Sequence, residues 1–78
     1  MNHAKIGVVI ADDMEFAPLL ERAKHYGLTH GKICSFESAS FSFAGKEITA
    51  VRCGDGKVNA AAATALLIER EKPCCIIN

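Results

Sequence analysis

Ile6-Gly7-Val8-Val9-Ile10-Ala11, near the start of the chain, is the segment most indicative of its architecture. Its apolar residues are continuous rather than alternating, and several are β-branched, which is typical of a strand buried on both faces of a parallel sheet. We therefore predict that residues 6–11 form the first strand of a sheet that is covered by helices.

The residues that follow this strand predict a helix. Asp12 and Asp13 are candidates for its N-cap, and Gly27 supplies a C-terminal stop. Pro18 is expected in the first turn or just beyond it, where its missing N–H costs least. The apolar positions recur at helical spacing and are Met14, Phe16, Ala17, Leu19, Leu20 and Ala23.

The second half of the chain predicts a hairpin, a helix and a strand. Residues 30–53 alternate as strands do, and Ala44-Gly45 offers turn chemistry, so we expect an antiparallel hairpin there. Residues 57–72 are alanine-rich and predict a helix closed by Pro73, and residues 74–77 begin another buried strand. The apolar stripe predicted for this helix is Val58, Ala61, Ala62, Ala65 and Ile68.

This β-α-β-β-α-β order is the opening of a three-layer α/β/α domain with a mixed sheet. A chain of 78 residues buries only about 60% of its unfolded surface. It also ends on an apolar run, residues 74–77, without a capping element. We therefore interpret residues 1–78 as a single partial domain and expect that further residues complete it.

Composition argues against several classes of partner. Nine acidic residues balance nine basic ones, so the chain lacks the positive charge that a phosphate backbone or an anionic membrane attracts. No apolar stretch approaches the roughly 20 residues that span a bilayer, and residues 1–5 lack the layout of a signal peptide. We expect neither a nucleic-acid nor a membrane partner, and a cytoplasmic location.

The cysteines and histidines do not predict a metal site. The four cysteines form no Cys-x-x-Cys pair, and the three histidines do not fall at the spacing of metal ligands. We expect neither a metal ion nor a cofactor. The cysteines are interpreted as reduced, buried side chains that pack as small apolar groups.

Chemistry is expected where the parallel strands end, at residues 11–15 and 53–57. Asp12, Asp13 and Glu15 cluster at the first of these ends. Helix capping and compensation of the helix macrodipole are one interpretation of the three carboxylates. Glu15, in the first helical turn, is also placed to orient or deprotonate a water, as hydrolysis through an oxocarbenium-like transition state requires.

The second strand end, Gly54-Asp55-Gly56-Lys57, has two interpretations. The segment is either a tight turn between strand and helix or a place where free backbone N–H groups bind an anion. It is not a P-loop, because Val58 stands where a Ser or Thr would follow the lysine.

Several of these motifs together resemble the methylthioadenosine/S-adenosylhomocysteine nucleosidases, of the nucleoside phosphorylase superfamily. The first strand with its acidic sequel up to Glu15 is similar to the opening of that family. The resemblance continues through Phe43-Ala44-Gly45-Lys46-Glu47-Ile48, then Gly54-Asp55-Gly56-Lys57-Val58-Asn59-Ala60-Ala61, and finally residues 72–78. It covers nearly the whole chain and implies an N-terminal portion of a nucleoside phosphorylase-like domain.

The resemblance implies a function and a set of site residues. The complete enzyme is expected to hydrolyse the N-glycosidic bond of a purine nucleoside in methionine salvage, as a homodimer. Glu15 matches the residue that positions the hydrolytic water, and Ala11, Asp12 and Asp55 match residues that line the nucleoside pocket. The purine-protonating residue would lie beyond Asn78, so we expect no catalysis from these 78 residues alone.

Two departures from the family leave the exact nucleoside open. Asp12 and Asp55 stand where the well-known methylthioadenosine enzymes have apolar residues. An unpaired carboxylate beside a methylthio group is costly. A nucleoside with a polar 5′ substituent, or a futalosine-type substrate, is therefore an alternative.

Two other functions remain as alternatives at this point. A nucleoside phosphorylase of the same superfamily would carry an arginine in the turn after the first strand, whereas residues 11–15 hold carboxylates that repel phosphate. A phosphoacceptor receiver domain would use Asp12, Asp13 and Asp55 to hold magnesium. That domain is doubly wound, however, and would not place a hairpin before Asp55.

Overall fold

The computed structural model describes residues 4–78 as one mixed sheet with helices on both faces. The elements follow one another along the chain as β1 (Ala4–Ile10), α1 (Asp13–Ala23), a 3₁₀ turn (Lys24–Tyr26), β2 (Thr29–Ile33), β3 (Phe36–Phe43), β4 (Lys46–Arg52), α2 (Lys57–Glu71) and β5 (Cys75–Ile77). None of the helices within residues 4–78 has the length and apolar character needed to cross a membrane.

The sheet has the order β2-β3-β4-β1-β5. β1 runs parallel to both β4 and β5, whereas β2–β3 and β3–β4 are antiparallel pairs. The predicted α/β class with a mixed sheet is therefore confirmed. A receiver domain is excluded, because its doubly wound sheet would not contain this antiparallel meander.

β1 lies between β4 and β5 in the sheet and contributes to two cores. Val9 packs on the α2 side with Val51 and Leu67. On the opposite face, Val8 and Ile10 pack against the core formed by Phe16, Ala39 and Ala50. This two-sided packing is the physical basis of the continuous apolar run.

Gly7 is required where α2 crosses β1. A Cβ atom at this position would lie 2.7 Å from side-chain atoms of both Leu67 and Ile76. Because Gly7 has no side chain, the fully buried Leu67 can pack directly against the sheet.

The structure has one strand more than the sequence predicts. Residues 29–33 form β2, which pairs antiparallel with β3 through a tight turn at Cys34 and Ser35. Cys34 adopts a left-handed conformation with φ 55°. A cysteine carries no turn signal, so the boundary between β2 and β3 is invisible in the sequence. The predicted turn at Ala44-Gly45 is confirmed between β3 and β4.

The predicted stripe of α2 is wrong. The helix packs through Ala63 and Leu67, which are buried, with Ala60 and Leu66 partly buried beside them. Val58 is 82% exposed and Ile68 is 51% exposed. Because α2 is apolar on more than one face, periodicity alone does not select the packed one. The orientation of the helix is set instead by the space above Gly7, which accommodates Leu67.

The cysteines are only partly as predicted. All four are free, but only Cys53 is buried, and Cys34, Cys74 and Cys75 are exposed. Cys34 lies in the β2–β3 turn. Cys74 and Cys75 lie at β5, the edge strand of the described sheet, where one side of the strand is open to solvent.

Candidate functional site

The two strand ends singled out in the sequence lie at the same edge of the sheet. β1 and β4 are parallel neighbours, and Ile10 is in register with Arg52. The pairing continues one residue further, because the backbone N–H of Cys53 donates to the carbonyl oxygen of Ile10 at 2.8 Å. Residues 11–15 and 54–57 therefore leave the sheet side by side.

The start of α1 is fixed by a capping residue. Asp12 has an extended backbone, and its Oδ1 accepts a hydrogen bond from the backbone N–H of Glu15 at 3.1 Å. The N–H of Phe16 donates to the carbonyl of Asp12 at 3.0 Å. Phe16 is itself buried against Ala39 and Ala50 of the sheet. The first turn of α1 is thus anchored above the ends of β1 and β4.

The three carboxylates of this turn have different partners. Asp12 caps the helix, and the Oδ1 of Asp13 lies 3.1 Å from the Nε of Arg52. The side chain of Glu15 is exposed and makes neither a hydrogen bond nor an ion pair within residues 4–78. Capping and ion pairing therefore account for two of the carboxylates. The third, Glu15, is free to act on a bound molecule.

The second strand end is a glycine turn that leads into α2. Gly54 and Gly56 have φ values of 77° and 106°, in a region that favours glycine. Gly56 is the N-cap residue of α2 and provides no side-chain cap, so the first backbone N–H groups of the helix stay available. Asn59 Nδ2 donates to the backbone oxygen of Asp55 at 3.1 Å, while the Asp55 carboxylate is exposed.

Of the predicted site residues, Ala11, Asp12 and Glu15 lie on the β1–α1 connection and Asp55 lies on the β4–α2 connection. All four are exposed at the shared edge. Within the described part of the chain, no group of three or more His, Cys, Asp or Glu side chains is arranged to hold a metal ion.

Arg52 also lies at this edge, and local sequence patterns do not indicate it. It is the last residue of β4, and its guanidinium contacts Asp13 of α1 and Glu37 of β3. Glu37 is in register with Arg52 across the β3–β4 pair. The sequence contains these two opposite charges, but their pairing can be recognised only once the register of the hairpin is known.

A cavity elsewhere on the sheet does not belong to this site. Its volume is about 330 Å³, and Lys5, Ser40, Glu47 and Glu71 are among the residues that line it. Lys5 and Glu47 lie near the amino ends of β1 and β4, away from the edge that holds Glu15. Two of its hydroxyl groups are already paired, since Ser40 and Thr49 hydrogen-bond at 3.2 Å.

Comparison with known proteins relates the chain to one family of enzymes. It is 35% identical over 74 residues to the 5′-methylthioadenosine/S-adenosylhomocysteine nucleosidase of Desulfotalea psychrophila. It is 42% identical over 74 residues to the nucleosidase of the same name from Shewanella pealeana. Each match covers 95% of this chain and 31% of the relative. No protein-family model matches the chain.

The fold is similar to that of solved structures from the same family. The S-adenosylhomocysteine nucleosidase of Streptococcus pyogenes, in complex with 5-methylthiotubericidin, superimposes with a TM-score of 0.88 and 31% identity. That match covers all of this chain and 32% of the other. The family resemblance inferred from the sequence is therefore confirmed, and the chain spans about a third of the length of its relatives.

Proposed function

We propose that this chain is part of an enzyme that hydrolyses the N-glycosidic bond of a purine nucleoside of the methylthioadenosine or S-adenosylhomocysteine type. The proposal is supported by the similarity to nucleosidases along 95% of the chain. The main structural support for the proposal is the position of Glu15. Its carboxylate is exposed at the edge where β1 and β4 end, without a partner among residues 4–78.

Glu15 is proposed as the residue that activates water. Cleavage of a glycosidic bond develops positive charge on the sugar, and a nearby carboxylate both stabilises that charge and accepts a proton from the attacking water. The capped first turn holds the backbone of Glu15 in place. Because the side chain is not committed to capping or to an ion pair, it can approach a water above the sugar.

Ala11, Asp12 and Asp55 are proposed to line the nucleoside pocket. They lie on the two connections that flank the strand ends, and their side chains are exposed there. We propose no cofactor for the reaction, because hydrolysis needs only a water, a carboxylate and a proton donor for the leaving purine.

Hydrolysis is favoured over phosphorolysis by the charges at this edge. Residues 11–15 contain three carboxylates and no basic residue. Arg52 is nearby, but its guanidinium is already paired with Asp13 and Glu37. A phosphate ion would therefore meet mainly negative charge, whereas a neutral water would not be repelled.

The wider context follows from the same family relationship. We propose that the complete protein works in the cytoplasm, as a homodimer, in methionine salvage. Its partner is a small nucleoside rather than nucleic acid or a membrane, consistent with nine acidic and nine basic residues along the chain.

The test is release of free purine by the complete protein in phosphate-free buffer. Incubation with 5′-methylthioadenosine is expected to yield adenine and the free methylthio sugar, separated by liquid chromatography. Base release that requires added phosphate would contradict hydrolysis and favour the phosphorylase. No base release in either buffer from 5′-methylthioadenosine, S-adenosylhomocysteine, adenosine or a futalosine-type nucleoside would contradict both functions.

A further inference from the structure

Arg52 connects three elements at the candidate site. Its Nε lies 3.1 Å from Oδ1 of Asp13, and its Nη2 lies 3.5 Å from Oε1 of Glu37. Asp13 is the first residue of α1 and Glu37 lies in β3, while Arg52 itself ends β4. One guanidinium therefore bridges the start of a helix and two strands, a geometry that its forked donors permit.

Of the three side chains in this cluster, that of Arg52 is the least exposed to solvent. Its side chain is 29% exposed, whereas that of Asp13 is 77% exposed and that of Glu37 is 55% exposed. The Nε atom is shielded from solvent and makes no well-directed hydrogen bond. Its positive charge is balanced by the two carboxylates, and a sheltered charge that loses its partners is costly. The contact with Asp13 is therefore coupled to the position of the helix.

The first turn of α1 thus has two attachments. Asp12 accepts the N–H of Glu15, which sets the local backbone of that turn. Asp13 attaches the same turn to the end of β4, directly before Cys53, whose N–H donates to Ile10. The Glu15 side chain has no partner of its own within residues 4–78. Its position consequently depends on how this turn is held.

We propose that Arg52 is a positioning residue for Glu15. It acts through Asp13, holding the first turn of α1 above the ends of β1 and β4 so that the Glu15 carboxylate faces the sugar. The proposal rests on the proposed nucleosidase function. Arg52 is not proposed to touch the substrate, because its guanidinium is directed to the carboxylates of Asp13 and Glu37.

The test is steady-state kinetics of purine release by the complete protein. Arg52→Ala is expected to lower kcat roughly 10- to 100-fold, because small misplacements of a catalytic group have effects of that size. KM should change little, since the arginine does not contact the nucleoside. Arg52→Lys keeps the charge and should recover much of the lost kcat. Arg22→Ala is the control, because Arg22 is an exposed residue of α1 without an ion pair in the described chain.

A double variant tests whether the effect passes through Asp13. If the two residues act as one unit, Asp13→Asn combined with Arg52→Ala should lower kcat no further than Arg52→Ala alone, within about twofold. Multiplication of the two single effects would contradict the route through Asp13. Should Arg52→Ala fail to fold, as seen by circular dichroism, Asp13→Asn alone is expected to show the same loss of kcat.

The outcomes separate the two proposals. A wild-type protein that releases base, with Arg52→Ala or Asp13→Asn at the wild-type kcat, would overturn the positioning role and leave the nucleosidase function standing. An increase in KM at unchanged kcat would also overturn it, because it would make Arg52 a binding residue. Absence of base release by the wild type would overturn the nucleosidase function itself.

Discussion

The carboxylate of Asp12 accepts a hydrogen bond from the backbone N–H of Glu15, three residues later, at 3.1 Å. This cap satisfies one of the N–H groups that an α-helix leaves unpaired at its start. Glu15, the proposed water-activating residue, therefore lies beside a carboxylate that stabilises the helix. Substitution of Asp12 is expected to lower the stability of the fold, whereas substitution of Glu15 is expected to lower kcat.

Removal of the cap is expected to lower stability. Asp12→Ala should decrease the free energy of unfolding by about 0.5–2 kcal/mol, because alanine leaves the Glu15 N–H unpaired. Asp12→Asn keeps an oxygen acceptor and should cost much less. Urea denaturation of the complete protein measures both, with Asp55→Ala as a control at an exposed carboxylate that caps no helix. Equal losses for all three variants would show that the cap contributes nothing.

The exposed acids are expected to influence the choice of substrate. Asp12→Asn and Asp55→Asn remove negative charge from the proposed pocket while keeping the size of the side chain. Burial of a carboxylate against an apolar 5′ group is unfavourable, because the charge loses hydration. Each variant should raise kcat/KM for 5′-methylthioadenosine relative to adenosine, by roughly tenfold.

The measurement is competition between the two nucleosides in the complete protein. Glu21→Gln serves as the control, because Glu21 lies further along α1 and pairs with Lys24 at 2.9 Å. If the preference between the nucleosides is the same in all variants, Asp12 and Asp55 do not face the 5′ substituent.

The packing of α2 gives a matched pair of neighbouring residues. Leu67 is fully buried above Gly7, whereas Ile68 is 51% exposed. In the complete protein, Leu67→Ala should lower the free energy of unfolding by about 2–5 kcal/mol through the lost contacts and the cavity left behind. Ile68→Ala should cost less than about 1 kcal/mol. Urea denaturation compares the two, and a larger loss for Ile68 would mean that the helix packs through the face predicted from the sequence.

Much of the fold was readable from local patterns. The apolar run at residues 6–11 predicts a strand buried on both faces, and the position of Asp12 before the helix indicates a cap. Ala44-Gly45 correctly marked the turn between β3 and β4. In each of these places the signal and the structure depend on the same few neighbouring residues.

The features that were missed depend on contacts between distant residues. The turn that separates β2 from β3 uses Cys34 at positive φ, which no turn preference indicates. The packed face of α2 is chosen by the space above Gly7, in another element. Arg52 joins the site only because the register of β4 places it opposite Glu37 and beside Asp13. Periodicity within one segment contains none of this information.

One substitution decides whether Glu15 is a catalytic carboxylate or only stabilises the start of α1. Glu15→Gln keeps the size and most of the hydrogen-bonding capacity of the side chain but removes its charge. An amide is a poor base, so kcat should fall by about 10²–10⁴. KM should stay within a few-fold of the wild type, because the carboxylate acts on the water and on the developing charge of the sugar.

The catalytic role of Glu15 is tested by steady-state kinetics of purine release by the complete Glu15→Gln protein, recorded beside its thermal melt. We predict a large loss of kcat with little change in the melting temperature, since the macrodipole interaction of one exposed carboxylate contributes only about 0.3–1 kcal/mol. An unchanged kcat together with a lower melting temperature would exclude this role, because Glu15 would then stabilise the helix without taking part in the reaction.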